Sequence, residues 1–313
     1  MEQPFIKEVT TGKEMKKMIR KKKSGMDFVT VSFIAPAFLF FTLFIIAPTI
    51  ASVYYSFTSW DGLNPVVHFV GLSNYKEIFT SARFGNALKN TILLTAFISV
   101  LENAMALMLA LIVDHVKWGK NFFRSAFYVP VLISGIVSGF IWKIMYNYNF
   151  GAVNTILKEM GMGQFTRDWL GNPGLALIMV GVVLVWKGAG YYMIIYLASL
   201  QSVPTDVVEA AAIDGASPMQ RFRAITLPLI SGAFTINFTL SLINGLKVFD
   251  QISVMTDGGP GFTTETIVYL LYKVGFNEGR QGFGTAVGIV LLFLILILNA
   301  IQQSILKKRE VQL

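Results

Sequence analysis

Along the chain, six long apolar runs alternate with polar stretches, at about 28–50, 87–113, 122–145, 174–199, 229–249 and 284–305. Each is long enough for a helix to cross about 30 Å of hydrocarbon. The pattern predicts an all-α polytopic membrane protein with six transmembrane helices and both termini on one side. Residues 1–27 then form a basic arm, 28–306 the transmembrane domain and 307–313 a short basic tail. A secretory signal would also pair a basic start with an apolar run. Here the run is too long for a signal core and no small-residue cleavage site follows closely, so a retained span is expected.

The polar positions inside the runs carry further information, because polar groups in a bilayer face the bundle interior or water. Asn237, Ser241 and Asn244 fall at i, i+4 and i+7 on the fifth run, and Lys247 continues the stripe. Amides and hydroxyls suit sugar hydroxyls, which need donors and acceptors but no counter-charge; they equally suit hydrogen bonds between helices. On the fourth run Trp186, Tyr191 and Tyr192 offer faces for a sugar ring or for packing. Glu102 and Lys187 lie near the middle of their runs and should pair or face water. Lys143 and Lys247, near run ends, can snorkel.

The stretch 203–228 separates the fourth and fifth runs. Asp206, with Glu209 three residues on, has capping-box spacing, and Gly215 suits a helix end. Ser217-Pro218 then suits the cap and first residue of a second helix. Three consecutive alanines, 210–212, give the first helix a small-residue surface. A further loop holds the turn signal Asp257-Gly258-Gly259-Pro260-Gly261, after which Thr263 or Thr264 should cap an apolar stretch too short to span.

Composition agrees with a membrane location: 54% of the 313 residues are hydrophobic and 14% charged, with 26 Phe. The chain has no cysteine, which excludes disulfides. The formal charge of +8 is distributed as a topology signal rather than as a nucleic-acid patch. With the N-terminus inside, 16 of the 26 Lys and Arg fall in inner segments, six in outer loops and four in spans. That bias favours cytoplasmic termini and puts 203–228 in the cytoplasm. The basic arm then lies near anionic membrane lipid.

No catalytic or metal-binding constellation is visible. His68 and His115 fall on opposite sides of the membrane, and Gly135-Ile136-Val137-Ser138-Gly139 sits inside an apolar run without a nearby base. No phosphate-binding loop is present either, so any ATP is bound by another chain.

Glu209-Ala210-Ala211, Gly215, Ile225, Leu227 and Pro228 match the E-A-A-x(3)-G-x(9)-I-x-L-P pattern at every fixed position. The chain in this respect resembles the permease subunits of ABC importers. The loop phrases F-V-G-L-S-N-Y, F-G-A-V-N and T-D-G-G-P resemble the carbohydrate branch of that family, and the likeness extends from about residue 30 to the end. It implies a type I ABC-importer permease fold in a bacterial inner membrane. It also implies a coupling helix in which Glu209, Ala210, Ala211, Asp214 and Gly215 dock on an ATPase, and a substrate path drawn from Asn237, Ser241, Asn244, Lys247, Tyr191 and Tyr192. The implied partners are a homologous second permease, two ATP-binding subunits that carry the ATP and Mg, an extracellular solute-binding protein and a sugar or oligosaccharide. No cofactor belongs to this chain itself. The same machine could carry a polyol or glycerol phosphate, for which Lys187 and Lys247 offer cations. An ion-coupled secondary carrier and an intramembrane enzyme are rivals that would need no ATPase.

Overall fold

A computed structural model describes residues 28–307; the basic arm and tail residues 308–313 lie outside the described residues. Among the described residues there is no β-sheet, only an isolated antiparallel bridge between Thr58 and Phe69. Two units divide the chain, one up to Ser52 and one from Val53 onward.

In the first unit, helix Phe28–Phe41 passes through a π-helical turn, Thr42–Ile46, into helix Ala47–Tyr55. Pro48 explains the widened turn: it has no N–H for the carbonyl four residues back, and that carbonyl belongs to the turn. Phe33, Phe38, Leu43 and Phe44 are all more than half exposed, as a helix set in lipid requires.

The second unit is built on two long helices packed side by side in the same direction, Ala82–His115 and Ala176–Leu200: Leu94 lies against Gly181, Glu102 against Gly188 and Asn103 against Tyr196. Ser81 caps the first by accepting from the Phe84 N–H. Ala106, Ala110 and Val113 are fully buried in one cluster with Met193, Tyr196 and Leu197, so small residues on one helix admit bulky ones from the other. A Cβ at Gly190 would overlap the Phe127 carbonyl, which is why the Lys120–Leu132 helix can lie against that point.

Four described helices are long and apolar enough to cross a membrane: Val31–Tyr55, Ala82–His115, Ala176–Leu200 and Gln281–Leu306. The other two expected spans are broken. Lys120–Leu132 and Gly135–Met145 meet at 94°, and Pro218–Leu229 meets Ser231–Leu246 at 65°. Counting each bent pair once gives six.

Both breaks have local causes. Ile133 and Ser134 are extended, and the Ser134 hydroxyl accepts the Val137 N–H at 3.2 Å, opening a new helix. In the second, Pro228 follows a π-helical turn, Phe222–Thr226, and Ile230 leaves helical geometry.

Two local expectations are corrected. The helix Thr205–Ile213 has Pro204 at its cap position with no side-chain cap, so Asp206 lies inside the first turn and the Asp206–Glu209 box is not formed. The box forms instead at the next helix, where Ser217 accepts the Gln220 N–H and Gln220 accepts the Ser217 N–H. In the 257–266 turn the cap of Ile267–Tyr272 is Thr266, not Thr263 or Thr264; those hydroxyls bond the Pro260 and Gly259 carbonyls inside the turn. The Lys143 Nζ donates to the Val254 carbonyl at 2.9 Å.

Candidate functional site

The Thr205–Ile213 helix ends as glycine permits. Gly215 has φ +83°, the Ala216 N–H reaches the Ala211 carbonyl at 2.9 Å and the Gly215 N–H reaches Ala212 at 3.1 Å. Glu209, Ala210, Asp214 and Gly215 are exposed and Ala211 half-buried. Val207 is 47% and Ile213 87% exposed, so the hook presents apolar side chains beside its carboxylates. Among the described residues Glu209 makes no ion pair. Behind the hook, a hollow of about 620 Å³ is bordered by Glu209, Arg221, Phe222, Asp114 and His115.

The second feature is a cavity of about 430 Å³ inside the bundle, within the range of about 300–1,000 Å³ usual for small-molecule sites. Four stretches of the chain line it. Glu102 comes from the 82–115 helix; Lys187, Gly188, Tyr191 and Tyr192 come from the 176–200 helix. Asn244 and Lys247 come from Ser231–Leu246 and its end, with Asp250 and Gln251 just beyond; Val131 and Gly135 flank the broken span. Asp250 packs on Gly135, where a Cβ would overlap its carboxylate, and Gln251 donates to the Gly135 carbonyl and the Ser138 hydroxyl. The break thus puts backbone at the cavity wall, which is tolerated at membrane depth only where it lines water or is covered by protein.

The predicted polar stripe divides between two tasks. Asn244 and Lys247 are exposed to the cavity; the Asn244 amide donates to the Tyr192 hydroxyl at 3.2 Å. Asn237 and Ser241 do not line it. Both are fully buried: Asn237 donates to the Tyr192 carbonyl, and Ser241 accepts from Asn103, which also accepts from Tyr196. They cross-link three helices. Tyr191 is 40% exposed and borders the cavity with its ring edge-on to Tyr192. Trp186 packs edge-on against Trp142 and is not part of the cavity lining.

Glu102 and Lys187 form no ion pair within 4 Å; both face the cavity. The sequence singled them out only by depth. Asp250 and Gln251 were missed because they lie beyond the apolar run, and the Ser134-Gly135 break was missed because the run across it is continuous. A Ser-Gly step four residues after Pro130 was the available signal.

Residues 102–311 match the family model described as "Binding-protein-dependent transport system inner membrane component". The chain belongs to that family. It is therefore a multi-pass permease subunit of the inner membrane and not an enzyme. It is 35% identical over 281 residues to the probable starch degradation products transport system permease protein AmyD of Thermoanaerobacterium thermosulfurigenes, covering 90% of this chain and 94% of that one. Against the trehalose/maltose transport system permease protein MalF of Thermococcus litoralis it is 35% identical over 264 residues, 84% and 88% of the two chains. Its fold matches a chain from the crystal structure of a bacterial ABC transporter that imports the acidic polysaccharide alginate, with TM-score 0.77 and 23% identity over 94% of this chain and 99% of that chain.

Proposed function

We propose that this chain forms half of the translocation path of an ATP-driven importer of neutral sugars or oligosaccharides, with a homologous permease as the other half. The observation that carries the reading is the mid-bundle cavity: amide, phenol and aromatic surface from Asn244, Tyr191 and Tyr192 in a chain whose relatives include starch-product and trehalose/maltose permeases. Such a lining offers both donors and acceptors with a ring to stack on, the requirements of a saccharide.

An extracellular binding protein delivers the sugar to the face opposite the hook. Two ATP-binding subunits take the hooks, with Glu209, Ala210, Ala211, Asp214 and Gly215 at the contact. The exposed Ile213 and Val207 give the apolar centre of that contact and Glu209 its charged rim. The hook leads through the Pro218–Leu229 helix into Ser231–Leu246, which carries Asn244 and ends at Lys247. Motion of the ATPases therefore has a short path to the cavity, the basis of alternating access. The basic arm 1–27 and the tail from 307 lie on the same cytoplasmic side as the hook. Asn237 and Ser241 support the path as links between helices.

Reconstitution with the binding protein and ATPases tests this. ATP hydrolysis is measured with maltotriose, trehalose, diacetylchitobiose and glycerol 3-phosphate. Stimulation by a neutral saccharide is expected. Stimulation by the phosphate alone would reassign the path to anions, and solute movement by the purified chain without ATPase would make it a secondary carrier.

A further inference from the structure

Glu102 is an anomaly that transport as described does not use. Its side chain is 5% exposed, and among the described residues it accepts no hydrogen bond and forms no ion pair within 4 Å. It lies 20 residues into the 34-residue Ala82–His115 helix, about 30 Å from the start at 1.5 Å per residue, and lines the cavity. A buried ionised carboxylate without donors costs several kcal/mol, and membrane spans exclude such groups unless they serve a path.

The surroundings hold the carboxylate in place but leave its lone pairs free. Gly188 lies against it: a Cβ there would overlap the Glu102 carboxyl, so glycine is what lets the group lie flat on the neighbouring helix. Tyr192 flanks the same point; its hydroxyl oxygen accepts from the Asn244 amide and it makes no bond to Glu102. Lys187, one residue before Gly188, faces the cavity without closing on the carboxylate. Lys247 and Asp250 are the other charges lining the cavity. The formal charges of these four groups cancel. The lining thus sets two acidic and two basic side chains beside the amide and phenol groups of Asn244, Tyr191 and Tyr192.

We propose that Glu102 is a substrate-contacting specificity residue, its two carboxylate oxygens accepting hydrogen bonds from adjacent hydroxyls of a neutral saccharide. The proposal rests on the permease reading above. A carboxylate offers about four acceptor positions, and bonds to it are roughly twice as strong as neutral ones. A saccharide hydroxyl that meets it gains strength, and a deoxy analogue leaves the charge bare.

The test is equilibrium binding of radiolabelled saccharide to the detergent-purified complex of permeases and ATPases, without binding protein. The saccharide is the neutral one that best stimulates ATP hydrolysis in the panel above, together with its monodeoxy analogues. Glu102→Gln should weaken binding by about tenfold or more, the scale of a lost charge-assisted bond. Gly188→Ala, which moves the carboxylate without removing it, should weaken binding in the same direction. One deoxy position should cost the wild type a similar factor and cost the Glu102→Gln complex much less. Unchanged affinity and unchanged deoxy penalties in both assembled variants would overturn the assignment of Glu102 while leaving the permease reading intact. A wild-type complex that binds no saccharide of the panel would overturn both.

Discussion

Arg83 and Glu265, 182 residues apart, form a two-pronged ion pair, with Nε to Oε2 at 2.9 Å and Nη2 to Oε1 at 2.8 Å. Glu265 is 1% exposed, and Arg83 also reaches Glu278 at 2.8 Å and covers the Phe262 ring. Asn86 and Asn90 on the same helix donate to the Phe262 carbonyl, and Asn90 also to that of Glu265. One end of the 82–115 helix is thereby stapled to the segment between the last two long helices.

Removing one member of this staple leaves a buried charge bare. Arg83→Ala should destabilise the protein at the lower end of about 3–5 kcal/mol, because Arg83 keeps some solvent contact. Arg280→Ala breaks a pair with Glu77 whose side chains are 44% and 46% exposed, and should cost about 1 kcal/mol or less. Thermal unfolding in detergent ranks the two; equal shifts would contradict the difference in burial.

The same region holds a pH-sensitive contact. The Tyr269 hydroxyl donates to Asp257, and that bond, with Lys273 beside it, holds the Asp257 carboxyl below its ordinary 3.8. Burial and the Asp257 contact push the Tyr269 phenol up to about 12. A carboxyl lowered on folding adds stability above its unfolded value and loses it as pH falls through the folded one. The Tm difference between wild type and Tyr269→Phe should therefore stay level from neutrality to about pH 4 and shrink below that. A difference that persists into stronger acid would mean the hydroxyl acts through packing.

Gly215 occupies a left-handed turn with open space around it. Gly215→Asp meets no clash but strains the backbone by about 1–2 kcal/mol, tilting the hook rather than unfolding the bundle. The variant should reach the membrane at normal level and lose sugar-stimulated ATP hydrolysis. Normal uptake would dismiss the hook as the coupling element.

The two amides of the stripe should separate in assay. Asn237→Leu removes a buried donor to the Tyr192 carbonyl and should lower Tm, by roughly 1–3 kcal/mol of stability. Asn244→Leu faces the cavity and should depress uptake with little change in Tm. If both variants lose only stability, the stripe is packing throughout.

Because the chain has no cysteine, Glu209→Cys provides a single thiol. A membrane-impermeant maleimide should label it in inside-out vesicles and not in intact cells. The reverse result would invert the proposed topology.

Much of this protein was legible before folding. Apolar runs of membrane length give the helices, since a single segment of that length satisfies its own backbone in hydrocarbon only as a helix. Gly215 and Ser217-Pro218 state their own turn and restart, because a cap is a local matter of a few torsions and one hydrogen bond. The tertiary structure alone decided what each polar face meets. A period of 3.6 residues puts Asn237, Ser241 and Asn244 on one stripe, yet helix crossing buries the first two and opens the third. It likewise sets Glu102 beside Gly188 and leaves Lys187 short of it. The 94° break at Ser134-Gly135 follows the same rule: neighbours on other helices, Asp250 and Gln251, occupy the gap. Periodicity specifies a direction from the helix axis, and only packing supplies the partner that stands there.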